Sequence, residues 1–297
     1  MNDWVNILQG YGSVLQDEPL ASHTTLGVGG PARWFFRPEN QDALCAAMLC
    51  IPTGIALLPL GRGSNLLPPD TGFDGVVLDL SNLNHIQVYE STLTAECGVR
   101  MSRVSRICAD HGLTGLEFMA TVPGDVGGGV VMNAGAFGQQ VADCLTRIRV
   151  VRRDGEVQEL QASQLEMSYR HTRLPHGSLV VSAEFTLQQG DGEAVRENIR
   201  QMRSRRSLTQ PLELPNCGSV FKNPPGDHAA RLIEAAGLKG HRIGGASISA
   251  KHANFIVNDN EASSGDVLAL IRLAQSTVKK QFGVNLEPEV RMLGESA

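Results

Sequence analysis

Runs of strand character recur along the chain at Gly54–Leu60, Val76–Leu80, His85–Tyr89, Leu93–Cys97, Ile148–Arg152, Val157–Leu160 and Leu179–Leu187. They are rich in Val, Ile and Leu and are bounded by Gly, Asp, Asn and Pro, the pattern of strands between turns. Asp154-Gly155 between two of them marks a hairpin. Helical spacing predicts a helix over Arg100–His111 that stops at Gly112, and another over Glu193–Ser207 that stops before Pro211. Near the C-terminus Val267, Ile271, Ala274, Val278 and Phe282 fall on one helix face, with Ser263 and Asp266 as a capping box and Gly283 as a stop. Paired hairpins in place of regular strand–helix alternation predict an α+β fold. The charged helix around Arg196–Arg206 is expected to separate a larger unit, 1–195, from a smaller one, 196–297.

Ala43 to Gly61 carries no charge, but Pro52, Gly54 and Pro59 interrupt it. It reads as a short helix, a turn and a buried strand, so no membrane partner is expected. With 42% hydrophobic and 19% charged residues in a chain of 297, there is material for a packed core and little sign of disorder. A net charge of −5 argues against a nucleic-acid partner. The six cysteines form no C-x-x-C pair and no zinc spacing, and none of the eight histidines is placed as a metal ligand, so no metal is expected. Met1-Asn2-Asp3-Trp4 lacks the basic and apolar regions of a secretory signal, which leads to an expectation of a cytoplasmic protein with free thiols.

Two glycine-rich stretches are candidates for ligand contact. Gly61-Arg62-Gly63-Ser64-Asn65-Leu66 follows a buried strand, where backbone N–H groups can turn into a concavity for an anion such as a diphosphate. Val122–Gly129 leads into Met132–Gly138, and its small residues let a flat ring or a phosphate approach the main chain. Glycine content alone leaves two elaborate turns equally open. Gly27-Val28-Gly29-Gly30-Pro31-Ala32 matches the dinucleotide fingerprint formally, but no strand precedes it, and Glu39 and Asp42 lie too close to serve as the ribose carboxylate. Phosphate-loop, zinc-protease and serine-hydrolase signatures are absent. Three polar groups remain. Arg170 follows Tyr169 in a polar loop, Ser219 follows Gly218 between apolar residues, and Glu289 lies in the apolar, strand-like run Leu286–Arg291. An exposed Arg, a turn Ser and a salt-bridging Glu are the plain alternatives, and spacing does not join them.

Taken with His23–Ala32, Leu60–Leu67, Val122–Gly138, Pro215–Pro224, Ala235–Gly240 and Lys251–Asn258, these segments resemble the UDP-N-acetylenolpyruvoylglucosamine reductase (MurB) family of flavoenzymes of peptidoglycan precursor synthesis. The resemblance runs from about His23 to Leu293. It implies a two-subdomain FAD-binding unit of the vanillyl-alcohol-oxidase (PCMH) type over 1–195, split near 80–90, and a smaller α+β substrate domain over 196–297. It assigns non-covalent FAD to Gly61, Arg62, Gly63, Ser64, Asn65 and Leu66, and to Pro123, Gly124, Val126, Gly127, Gly128, Asn133, Ala134, Gly135 and Ala136. Substrate binding falls to Lys222, Asn223, Lys251, His252 and Asn254, and catalysis to Arg170, Ser219 and Glu289. With no room for a Tyr-bearing insertion between Val181 and Gly218, the chain resembles the shorter, type II form. A monomer or weak homo-oligomer is expected.

The implied reaction reduces the enolpyruvyl ether of UDP-GlcNAc-enolpyruvate to a lactyl ether, with NADPH as co-substrate and two hydride transfers through FAD. Hydride at C3 leaves an enediolate at C2, whose charge Arg170 is expected to hold, while Ser219 protonates C2, with Lys222 or backbone amides steadying the alkoxide. Glu289 is expected to share a proton, its acidity weakened by the apolar Leu286–Val290 setting. Departures from the family pattern are Asp125 in place of a hydroxyl residue, Phe137 where Tyr is common, and Pro68-Pro69 after the first loop. A carboxylate at Asp125 is expected to point away from a diphosphate or to be paired. For Arg203–Arg206 a solvated helix face is expected in preference to a diphosphate contact. Another flavin oxidoreductase acting on a hydroxy acid or alcohol, or a silent flavin-binding paralogue, are the alternatives; the Cys217–Pro224 segment argues against the first and the intact Arg170, Ser219 and Glu289 against the second.

Overall fold

A computed structural model of the protein describes residues 3–294. The chain forms two compact units that interleave in sequence. Of the described residues, one takes 3–16, Trp34–Gly61 and Gly75–Arg205; the other takes Asp17–Arg33, Arg62–Asp74 and 206–294. The single cut expected at 195/196 instead falls inside one continuous helix, Gly192–Thr209. Two early segments join the C-terminal unit because their apolar residues, Leu26, Val28 and Leu67, share its core. A core assembled from distant segments has no sequence-local mark.

The larger unit contains a five-stranded antiparallel sheet in the order Val157–Gln161, Leu145–Val151, Leu179–Thr186, Thr92–Glu96, Ile86–Tyr89. Five residues, 152–156, join its first two strands, and Gly155 takes a positive φ of 76° that suits the expected Asp-Gly turn. The helices Met101–Asp110 and Val126–Val131 contribute Val104, Cys108, Val126 and Val130 to a core completed by Leu93, Ala95, Ile148, Val150, Ala183 and Phe185 of the sheet. A four-stranded sheet, ordered Gly12–Pro19, Pro31–Pro38, Phe73–Asp79, Ala56–Leu60, uses strands that all precede residue 80. Its last two strands run parallel. The uncharged stretch resolves into the helix Gln41–Cys50 and the strand Ala56–Leu60, with Leu44, Ala47 and Met48 buried. Among the described residues no helix is long and apolar enough to cross a membrane.

In the second unit the three-stranded sheet Arg242–Ile243, Ala246–Ile248, Ile256–Asn258 shares its core with the helices Ala229–Ala235 and Ser264–Phe282. The long helix begins at the expected Ser263/Asp266 capping box and ends at Gly283 in the left-handed region. Asp70, the residue after Pro68-Pro69, accepts the N–H groups of Ser264 and Gly265 at 2.8 and 2.9 Å, satisfying two amides of the first helical turn. Strands and helices are mixed without regular alternation, and the fold is α+β.

Two local expectations are corrected. Tyr169-Arg170 is the two-residue turn of a hairpin between Glu166–Ser168 and His171–Arg173, not a plain loop. Three-residue strands are too short for an alternating pattern to show. Leu286–Arg291 is not a strand: only Arg291–Met292 pairs, in parallel with Leu66–Leu67, and Pro288 makes a single bridge to Phe221. A proline cannot donate to a ladder, which limits pairing there.

Candidate active site

In the second unit, Ser219 and Glu289 belong to one hydrogen-bonded framework. The Glu289 N–H donates to the Val220 carbonyl at 2.8 Å, and the Lys222 N–H donates to the Glu287 carbonyl at 2.9 Å. Ser219 and Glu289 are both half-buried. Gly218, at φ 77°, turns the chain into Ser219, and its N–H is held at 3.0 Å by the Asn216 side chain. Asn216 is itself fixed: its carbonyl accepts the Thr25 hydroxyl at 2.7 Å, and its amide donates to the carbonyls of Pro211 and Leu214.

The first glycine-rich loop lies against this framework. Asn65 donates its side-chain amide to the Glu289 carbonyl at 3.0 Å, and its own carbonyl accepts the Arg291 N–H at 3.0 Å. Gly63, at φ 58°, passes so close to the chain at His23 that a Cβ would fall 2.3 Å from the His23 carbonyl oxygen. Only a bare backbone fits there.

Of the residues expected to bind substrate, Lys222 pairs with Glu287 at 2.6 Å, and Lys251 donates to the Ser207 carbonyl at 2.7 Å. The Asn223 side chain accepts the Ala229 N–H at 3.1 Å, at the start of the helix Ala229–Ala235. His252 packs edge-on against Phe255 with ring centres 4.8 Å apart. Burial lowers its pKa below the ordinary histidine value, and its Nδ1 accepts the Asn254 N–H at 3.3 Å, as the neutral ring allows. Asn254 is buried and turned onto the backbone of Phe221.

In the larger unit, Arg170 stands at the hairpin tip with φ 57° and donates to the Gly135 carbonyl at 2.9 Å. Its guanidinium also lies 4.9 Å from the centre of the Tyr169 ring. Gly135–Ala136 and Gln139–Gln140 form a second hairpin whose turn, Phe137-Gly138, has positive φ at both residues. Buried Asn133 locks the two hairpins together: its Nδ2 donates to the Gln140 side chain and to the Ser168 carbonyl, both at 3.0 Å, while its Oδ1 accepts the Ala142 N–H at 2.9 Å. Arg205 lies 5.9 Å from the centre of the exposed Phe137 ring, and burial lowers the pKa of Arg206. The arginine cluster is thus not wholly a solvated face.

The glycines 127–129 divide their work. A Cβ at Gly127 would meet Cys97 at 2.8 Å and one at Gly129 would meet Met101 at 2.7 Å, whereas one at Gly128 would meet nothing within 4 Å. Close packing therefore explains two of them, and the exposed Gly128 leaves a bare patch on the helix surface. Pro123 is exposed and Gly124 half-buried, while Asp125 is buried beside Gly61, where a Cβ would fall 2.9 Å from its Oδ2. Burial pushes the Cys108 and Cys217 thiols up to about 12 and the Cys97 thiol up as well, so these three stay protonated at neutral pH. Taken separately, the open Gly128 surface in the larger unit offers the unobstructed face that the flat ring of FAD needs, and the bare-backbone turn at Gly63 in the second unit allows the close main-chain approach that a diphosphate needs.

Sequence reasoning missed Asn216 and Asp70 as organisers of this region. Asn216 sits two residues before Gly218, a local Asx-turn signal; Asp70 had no such signal, since its partners lie 194 and 195 residues away.

An FAD binding domain model matches residues 32–161, and a model of the UDP-N-acetylenolpyruvoylglucosamine reductase C-terminal domain matches residues 210–293. The chain is 44% identical over 289 residues to the UDP-N-acetylenolpyruvoylglucosamine reductase of Methylococcus capsulatus, covering 96% of this chain and 94% of the relative. It is 41% identical over 286 residues to that of Limosilactobacillus fermentum, covering 96% and 95%. The crystal structure of the reductase (MurB) from Thermus caldophilus matches with a TM-score of 0.81 at 34% identity, over 95% of this chain and 98% of that one. End-to-end similarity of this kind, in sequence and in fold, means that the chain belongs to the UDP-N-acetylenolpyruvoylglucosamine reductase family.

Proposed function

We propose that this protein reduces UDP-GlcNAc-enolpyruvate to UDP-N-acetylmuramate with NADPH, through non-covalently held FAD, as a step of peptidoglycan precursor synthesis in the cytoplasm. The observation that carries this reading is the Glu289 N–H to Val220 carbonyl bond at 2.8 Å, which sets a carboxylate and a serine hydroxyl on adjoining backbone although they are far apart in sequence.

FAD, when bound, supplies hydride to C3 of the enolpyruvyl group. The protein's own task is the charge this creates. With C3 saturated, the electron pair of the double bond moves to C2 and into the carboxylate as an enediolate. Arg170 offers a planar fork to the two oxygens, and its tie to the Gly135 carbonyl fixes its direction. Glu289 shares a proton with the same oxygens, and the Ser219 hydroxyl delivers a proton to C2, which completes the addition of one hydride and one proton across the double bond. The serine alkoxide left behind regains its proton from water. Lys222, expected to steady that alkoxide, is paired with Glu287 at 2.6 Å.

The test is a visible spectrum of the purified protein. The flavin band is expected to bleach on adding NADPH and to return anaerobically on adding UDP-GlcNAc-enolpyruvate. Bleaching without recovery would mean a different flavin oxidoreductase.

A further inference from the structure

Asn254 directs its functional groups into the backbone of the segment that carries Ser219. Its side chain is 4% exposed. Oδ1 accepts the Phe221 N–H at 3.0 Å, Nδ2 donates to the Phe221 carbonyl at 2.8 Å, and the Asn254 carbonyl accepts the Val220 N–H at 2.9 Å. From the other side, the Val220 carbonyl accepts N–H groups from Glu289 at 2.8 Å and Val290 at 3.3 Å. Residues 220 and 221 are therefore clamped between a carboxamide that stands in for a neighbouring strand and the segment that bears Glu289. Ser219 is the residue just before the clamp.

We propose that Asn254 is a positioning residue for Ser219 and Glu289, acting through Val220 and Phe221 and not through substrate contact. The proposal rests on the enolpyruvyl-reductase reading given above. A carboxamide has a donor and an acceptor at the separation of one residue's N–H and C=O, and no other side chain of this size offers both to Phe221. A carboxylate of the same shape keeps the acceptor, loses the donor, and sets an oxygen against the Phe221 carbonyl in a buried site. The Val220-Phe221 segment then shifts, and the serine hydroxyl shifts with it. A misplacement of about 1 Å from a group remote from the chemistry can cost about 100-fold in rate.

The experiment compares wild type with Asn254→Asp in anaerobic stopped flow. FAD content and the rate of bleaching by NADPH are expected to stay within about threefold of wild type. The maximal rate of flavin recovery with UDP-GlcNAc-enolpyruvate is expected to fall about 10- to 100-fold with little change in half-saturation, and its heavy-water isotope effect to grow. Lowering the pH is expected to restore part of the lost rate relative to wild type, because the protonated carboxyl regains a donor for the Phe221 carbonyl. A raised half-saturation at unchanged maximal rate would assign Asn254 to substrate contact and overturn the proposal. Equal slowing of both half-reactions, or no slowing, would overturn it too. If Asn254→Asp does not fold, Asn254→Ser, which keeps a single smaller group for Phe221, is judged by the same outcomes except the recovery at low pH, which needs a carboxyl. Failure of wild type to recover its flavin band would overturn the functional reading itself, an outcome visible before any variant is made.

Discussion

Arg170 donates through Nη2 to the Gly135 carbonyl at 2.9 Å, and this bond ties the turn of one hairpin in the larger unit to the first strand residue of another. Arg170 also adopts the left-handed backbone, φ 57°, that the two-residue turn requires. A long cationic side chain loses much rotamer freedom when it is held this way, so a purely solvated role gives no account of the arrangement.

Arg170→Ala is expected to slow flavin recovery by substrate about 100- to 1,000-fold while slowing bleaching by NADPH much less. Arg170→Lys should fall between, because an ammonium keeps the charge but not the fork. Stopped-flow measurement of the two half-reactions decides; equal slowing of both would mean that Arg170 serves the hairpins alone.

Ser219→Ala is expected to leave FAD content and NADPH-driven bleaching near normal and to reduce the maximal rate of substrate reduction about 100- to 10,000-fold, the span of general acid catalysis. The half-saturation should change little, because the proton is needed in the transition state and hardly in ground-state binding. Ser219→Cys should recover part of the rate, since a thiol is the stronger acid. Single-turnover kinetics of pre-reduced enzyme in heavy water report the step directly.

Asp70→Ala removes the acceptor for the first-turn amides of Ser264 and Gly265. A loss of about 1–2 kcal/mol is expected, read as a lower urea midpoint for the unit that contains the helix Ser264–Phe282. The Ser263/Asp266 box remains in this variant, so the helix should shorten or fray at its start without being lost. An unchanged midpoint would show that water replaces Asp70 at no cost.

His252 gives the protein an acid-sensitive component of stability. Burial lowers its native pKa, and the charge of Lys239 acts in the same direction. Below about pH 6.5 the unfolded chain therefore binds a proton that the native ring refuses, and stability falls as the pH falls. His252→Gln should flatten that part of the profile. Urea midpoints of both proteins at about pH 7.5 and about pH 5.5 provide the comparison, and parallel profiles would refute it.

Local chemistry made much of the fold readable in the sequence. The helix Ser264–Phe282 starts at a capping box and stops at a left-handed glycine, both written within one turn of its ends. The strands of the five-stranded sheet were visible because buried and exposed positions alternate or stay apolar over several residues. The hairpin at Tyr169-Arg170 was not, because strands of three residues offer too few positions to reveal a period.

By itself the sequence determined the α+β class, the strands of the five-stranded sheet, the helices Met101–Asp110, Gly192–Thr209 and Ser264–Phe282, and the motif residues Arg170, Ser219 and Glu289 whose family resemblance pointed to a flavoenzyme. These depend on interactions within a few residues or on motifs that can be read in order. Only the tertiary structure decided what those residues rest on: Asp70 capping a helix 194 residues on, Asn65 holding the Glu289 carbonyl across 224, and Asn254 turned onto Phe221 instead of outward. It also decided that two early segments belong to the C-terminal unit. The physical reason is that main-chain N–H and C=O groups left over by helix ends and loops take their partners wherever tertiary packing brings a polar side chain, and that partner's place in the chain leaves no local trace.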